Sequence, residues 1–165
     1  MIIYLLRHGI AENHSRRGSD AERELMPEGR EKTATVMAAA RQMRLASPVL
    51  VVSSPLVRAV QTAEIACSEF AVSANRVISD VLLPSADIDR TMAFIGSVIH
   101  EHSPVMLVGH EPHLSTLAGA LVGAHGPAIE MKKASLAVFE LYRLDAPRMK
   151  AILTALLPPR IGELV

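Results

Sequence analysis

Apolar and polar positions fall in blocks along this chain, and the blocks differ in period. Residues 2–6, 49–52 and 105–108 are unbroken apolar runs. Short continuous runs of this kind predict strands covered on both faces. Between them the spacing turns helical. Val36, Ala40 and Met43 mark one face of a helix that opens at Pro27 and ends near Leu45. Leu56, Ala59, Val60, Ala63, Cys67 and Phe70 mark a second, with Ser54 and Pro55 as N-cap and first position. A third strand is expected from Arg76 to Leu83. It is followed by a helix over about residues 87–102 with Ile88, Met92, Ile95 and Ile99 inward. Glu111-Pro112 opens another helix, with Leu114, Leu117, Ala118 and Leu121 inward. Residues 134–143 and 149–157 predict two strands joined as a hairpin through Asp145-Ala146-Pro147. The fold class expected is α/β: a three-layer α/β/α sandwich, its central sheet mostly parallel with an antiparallel C-terminal edge.

Composition narrows the partners. A chain of 165 residues predicts a single domain over 1–165, able to bury roughly 70% of its unfolded surface. Formal net charge is zero and no apolar run reaches a membrane span, so neither nucleic acid nor membrane is an expected partner. No basic stretch precedes the first apolar run, and the single cysteine, Cys67, has no internal disulfide partner. Both favour a cytoplasmic location. On its helical stripe Cys67 reads as a small core residue rather than a nucleophile. The segment from Glu12 to Lys32 departs from the pattern, being dense in both signs of charge. It reads as a solvated loop of the kind that forms lids or binding edges. Met26, just before Pro27, is a poor N-cap.

The candidate chemistry sits where strands end. The first run stops at Arg7-His8-Gly9 and the 105–108 run at Gly109-His110. Arg58 lies in the first turn of the second helix and leans back toward its N-terminus. In open α/β sheets ligands bind beyond the carboxyl ends of the strands, and Arg7, His8, Arg58 and His110 all fall there. Arg-His-Gly alone is as well explained by a capped strand end. Two guanidiniums and two imidazoles converging on one edge instead make a site for a tetrahedral oxyanion. Cationic surroundings should depress the histidine pKa and favour a nucleophilic neutral imidazole. His110 and His113 have a spacing that raises zinc, but no Cys or carboxylate cluster completes a ligand set. Neither a metal nor another cofactor is expected. His100 and His102 near a helix end, and His14 and His125 in loops, read as structural or surface residues.

The ordered motifs make the chain resemble the histidine phosphatase superfamily, and within it the short SixA-like phosphohistidine phosphatases. They are Leu6-Arg7-His8-Gly9, the segment Asp20–Gly29, the stretch Ser53–Ala63 around Arg58, and Val108–Leu114. The resemblance spans about residues 1–122, and Lys132–Leu136 extends it. It implies that His8 is the nucleophile that becomes phosphorylated and that Arg7, Arg58 and His110 bind the phosphoryl group. The chain departs from the family at Met26, where Thr is usual, and at Val81, where relatives often carry a Glu that protonates the leaving group. Asp87 is then the remaining candidate acid, although it could equally be a helix N-cap.

The function expected is a metal-independent phosphohydrolase working through a phosphohistidine on His8. No insertion is long enough to cap the site, which suits phosphohistidine on a partner protein, such as a phosphotransfer domain. A phosphatase of a small phosphorylated metabolite, or a phosphate-recognition module without turnover, are the alternatives.

Overall fold

The strand that organises the fold is β1 (Ile2–Arg7), in which Ile3, Tyr4, Leu5 and Leu6 are fully buried. The computed structural model describes residues 1–15, 18–71, 75–144 and 149–161. Within them β1 is joined by β2 (Leu50–Ser53), β3 (Asn75–Ile78), β4 (Val105–Gly109), β5 (Leu136–Arg143) and β6 (Lys150–Leu157). The helices are α1 (Pro27–Gln42), α2 (Val57–Glu69), α3 (Ile88–Val98) and α4 (His113–Val122). Strand order is β3-β2-β4-β1-β5-β6. The first four run parallel, while β5 and β6 are antiparallel to their neighbours. This is the expected sheet with its antiparallel C-terminal edge.

Alternation along β1 divides the interior into two cores. Ile3 and Leu5 face α3 and α4, packing with Met92, Ile95, Leu114 and Leu117. Tyr4 and Leu6 face α1 and α2, packing with Val36, Met37, Ala59 and Ala63. Burying each large aliphatic side chain contributes roughly 1.5–3 kcal/mol, so both faces anchor β1 firmly. Among the described residues no helix is long and apolar enough to cross a membrane.

Three local expectations need correction. The strand expected over Arg76–Leu83 stops at Ile78, because Ser79 caps a 3-10 turn over Asp80–Leu82 and accepts from the Val81 N–H. The second helix begins at Val57 rather than Pro55. Ser54 still belongs to the sheet, its N–H donating to the Val108 carbonyl at 3.0 Å. Its hydroxyl accepts from Leu56 N at 3.3 Å, before the helix proper begins. Met43, expected inward, is 54% exposed because α1 has already ended, and Met37 takes the buried place. The α1 start lacks a side-chain cap, as Met26 implied. The hairpin turn at Asp145-Ala146-Pro147 lies outside the described residues.

Candidate active site

The topology brings the four expected residues to one crevice. From β1 the chain passes to α1 on one face of the sheet, and from β4 to α4 on the other, while β1 and β4 are neighbours. Such a switch point opens a cleft at the carboxyl edge. Arg7 pairs with Gly109, and the His8 N–H donates to the Gly109 carbonyl at 3.1 Å. His8 and His110 therefore leave adjacent strands side by side. Their ring centroids lie 4.9 Å apart with the planes tilted by 51°. Arg58, at the second position of α2, turns its buried side chain into the same cleft. On the far side, the Ala134 N–H bridges the carbonyls of Arg7 and His8, both at 3.1 Å.

Hydrogen bonds fix what each group can offer. His8 Nδ1 lies 2.7 Å from the Gly9 carbonyl, which can only accept. Nδ1 therefore carries the proton, and Nε2 keeps a free lone pair. Arg7 Nη1 donates to the Met131 carbonyl at 2.7 Å. Arg58 donates through Nη1 to the Asp20 carbonyl at 2.8 Å and through Nη2 to Asp20 Oδ2 at 3.0 Å. Buried polar atoms normally find partners, so exceptions ask for a reason. Among the described residues every such orphan lies on Arg7, Arg23, Arg58, His110, Glu111 or His113. Each of the three arginines leaves Nε unused, and His110 leaves both ring nitrogens unused. Arg7, Arg58 and His110 thus keep polar atoms that a polar ligand could satisfy.

Both imidazoles are held neutral. Burial pushes His8 down to about 3, with Arg58 and Arg7 adding to the shift and the Gly9 hydrogen bond opposing it. His110 is also pushed to about 3, first by burial and then by the neighbouring His8, Arg58 and Arg7. The direction matches the sequence expectation, but burial outweighs the cations as its cause. Burial likewise lowers the Arg58 guanidinium, against the opposing hydrogen bond and charge of Asp20.

The sequence profile of the histidine phosphatase superfamily (branch 1) matches residues 3–78. An uncharacterised protein of Picosynechococcus sp. is 32% identical over 141 residues, which are 82% of each chain. The chain belongs to the histidine phosphatase superfamily. Its fold is similar to that of the protein histidine phosphatase SixA complexed with tungstate, at TM-score 0.85 and 20% identity over the whole of both chains. It is also similar to a mycobacterial glucosyl-3-phosphoglycerate phosphatase complexed with VO3, at TM-score 0.71 and 17% identity, covering 93% of this chain and 97% of that one. Membership of this superfamily supports phosphatase activity.

Several site residues of this superfamily member were not singled out from sequence. Asp20 and Arg23 lie in the charged segment, where any charge reads as solvated. Asp20 grips Arg58, and Arg23 Nη1 pairs with Asp20 Oδ1 at 3.2 Å. Thr62 accepts from the Gly9 N–H at 3.1 Å and donates to the Arg58 carbonyl at 2.7 Å, tying the His8 loop to α2. Glu111 places a buried carboxylate oxygen near Arg7, whose charge it favours. Gly9 and Gly29 meet in space. A Cβ on Gly9 would meet the Gly29 carbonyl at 2.7 Å and Thr33 Oγ1 at 2.8 Å, and a Cβ on Gly29 would overlap the Ile10 backbone. Gly9 is thus required by its close contact with α1.

Asp87 is exposed and caps α3, its Oδ1 accepting from Arg90 N at 2.9 Å. Val81 is buried. The zinc spacing of His110 and His113 leads nowhere near a ligand set. His113 Nε2 lies 3.0 Å from Thr91 Oγ1, and among the described residues no three His, Cys, Asp or Glu side chains are grouped to hold a metal ion.

Proposed function

We propose that the chain is a phosphohydrolase in which His8 is the nucleophile and phosphohistidine on a partner protein is the substrate. The observation that carries this reading is the His8 ring itself: buried, neutral, and with Nδ1 committed to Gly9 so that Nε2 alone can attack. Nε2 forms a bond to phosphorus as the bond to the leaving group breaks. The positive charge that develops on the ring is met by the Gly9 carbonyl through Nδ1–H. Arg7, Arg58 and His110 donate to the phosphoryl oxygens, where charge accumulates in the transition state. Water then takes the phosphoryl group from His8 and restores the free imidazole. Arginine and imidazole donors carry the charge in this scheme, so activity should survive chelators. The tungstate and VO3 complexes of the structural relatives agree with a pocket shaped for oxyanions.

The two positions named for a general acid support this substrate class. Val81 carries no proton and Asp87 spends its carboxylate on the α3 cap. An alkyl oxygen leaves poorly without a general acid, which typically contributes about 10²–10⁴-fold. A phosphoimidazole protonated on its own ring departs as neutral imidazole and needs little such help. A panel comparing a phosphohistidine-bearing protein, an aryl phosphate and sugar phosphates tests the assignment. The expected order of kcat/KM is phosphohistidine above aryl phosphate above sugar phosphate. A sugar phosphate at the head would make the chain a metabolite phosphatase, and oxyanion binding without turnover would make it a recognition module.

A further inference from the structure

Behind His110 lies a buried histidine that this chemistry does not use. His113, the first residue of α4, is 3% exposed. Its Nε2 is 3.0 Å from Thr91 Oγ1 on α3. That hydroxyl is also 2.8 Å from the Val81 carbonyl and 3.0 Å from the Asp87 carbonyl. A hydroxyl has one proton, and both carbonyls can only accept. The Thr91 proton goes to the carbonyls, so the ring must donate, and His113 is the Nε2–H tautomer. Its Nδ1 is buried without a partner. The ring lies close enough to His110 to affect its protonation.

We propose that His113 is a positioning residue: its Nε2–H, relayed through Thr91, fastens the Val81 turn and the start of α3 to the start of α4. This rests on the phosphoryl-transfer reading of the site. His110 lies three residues before His113, and the His110 carbonyl accepts from Leu114 N at 2.9 Å. The Val81 turn presses on the same strand end, with the Leu82 carbonyl 3.3 Å from where a Gly109 Cβ would stand. The tie therefore holds the wall opposite the nucleophile at a fixed distance from His110. Val81 and Leu82 are buried within that wall, and an internal lock sets its position. Small misplacements at such distances can cost up to about 10²-fold in rate.

Two measurements on the full chain test this. Long-range ¹H–¹⁵N NMR reads the tautomer without any turnover: a neutral Nε2–H ring at His113 is expected, and an Nδ1–H ring overturns the proposal. Kinetics with an aryl phosphate then reads the coupling. Thr91→Val and His113→Leu should each lower kcat about tenfold, with vanadate affinity within about twofold of wild type as proof that the fold and anion site stand. The double variant should be no worse than either single one. His113→Gln, whose amide N–H can replace Nε2–H, should recover most of the loss, whereas His113→Asn should not. Wild-type kcat in His113→Leu, or losses that multiply in the double variant, would overturn it. A wild-type chain with the expected tautomer but no turnover would count against the phosphatase assignment instead, and the lock would then be read as melting-temperature coupling between Thr91 and His113; additive shifts there would overturn it too.

Discussion

The two walls of the cleft meet the ligand in different ways. On one, Arg7, His8, Arg58 and His110 arise from β1, β4 and the start of α2, and Arg7, Arg58 and His110 keep unpaired nitrogens. On the other, residues 79–87 present buried Val81 and Leu82 and an aspartate already engaged in a helix cap. The first wall is polar and unsatisfied, so it is prepared for charge. The second packs its apolar side chains inward and ties Asp87 into the α3 cap. The difference teaches that strand ends and one helix start can leave polar groups open for an anion while a neighbouring segment is held by its own hydrogen bonds.

The contrast can be broken most severely at His8, the proposed nucleophile. His8→Ala should lower turnover by roughly 10⁴-fold or more, while circular dichroism shows the fold retained. Residual activity within tenfold of wild type would move the chemistry elsewhere. Next comes the anion grip. Arg58→Ala should weaken tungstate binding by roughly 1.5–3 kcal/mol, the scale of a hydrogen bond to a charged group, measured by calorimetry. Unchanged affinity would mean that Asp20 holds Arg58 away from the ligand.

The polar wall should also carry a pH signature. His8 and His110 titrate near 3 when folded, against 6.5 as the ordinary value. The unfolded chain therefore binds protons first, and stability should fall as pH drops from about 6.5 toward 3. The slope cannot exceed about 1.4 kcal/mol per pH unit for each ring. Melting curves from pH 7.5 to 5 should show the loss, and His110→Gln should show less of it. A tungstate-bound sample should resist acid better, because the anion favours protonated imidazoles. The smallest effect belongs to the other wall. Asp87→Asn should cost at most about 0.5–2 kcal/mol of stability and leave phosphohistidine hydrolysis within about tenfold of wild type. A loss above a hundredfold on that substrate would make Asp87 the acid.

The polar wall was legible in the sequence because its residues interrupt apolar runs. An arginine or histidine closing a buried strand has no packing reason to be there, and the helix periods between the strands fix which edge the chain reaches. The features that were not legible lie where sequence signals are ambiguous. Asp20 and Arg23 sit in a stretch so charged that no single charge stands out, and only the fold shows Asp20 gripping Arg58. His113 lies three residues after His110 in a pattern that suggests metal, yet its partner Thr91 is 22 residues away on another helix. Gly9 carries a requirement set by Gly29, which no local rule connects to it. The early end of β3 depended on Ser79 capping a turn, a short-range competition that the apolar pattern through Leu83 concealed.

The central claim is that His8 carries the phosphoryl group. Rapid acid-free quenching during turnover of a labelled substrate, followed by peptide mapping, tests it most directly. One phosphate per chain is expected on His8, labile in acid and stable in base, absent from His8→Ala and diminished in Arg58→Ala. Label on any other residue, or steady turnover with no phosphoenzyme at any time point, would contradict it.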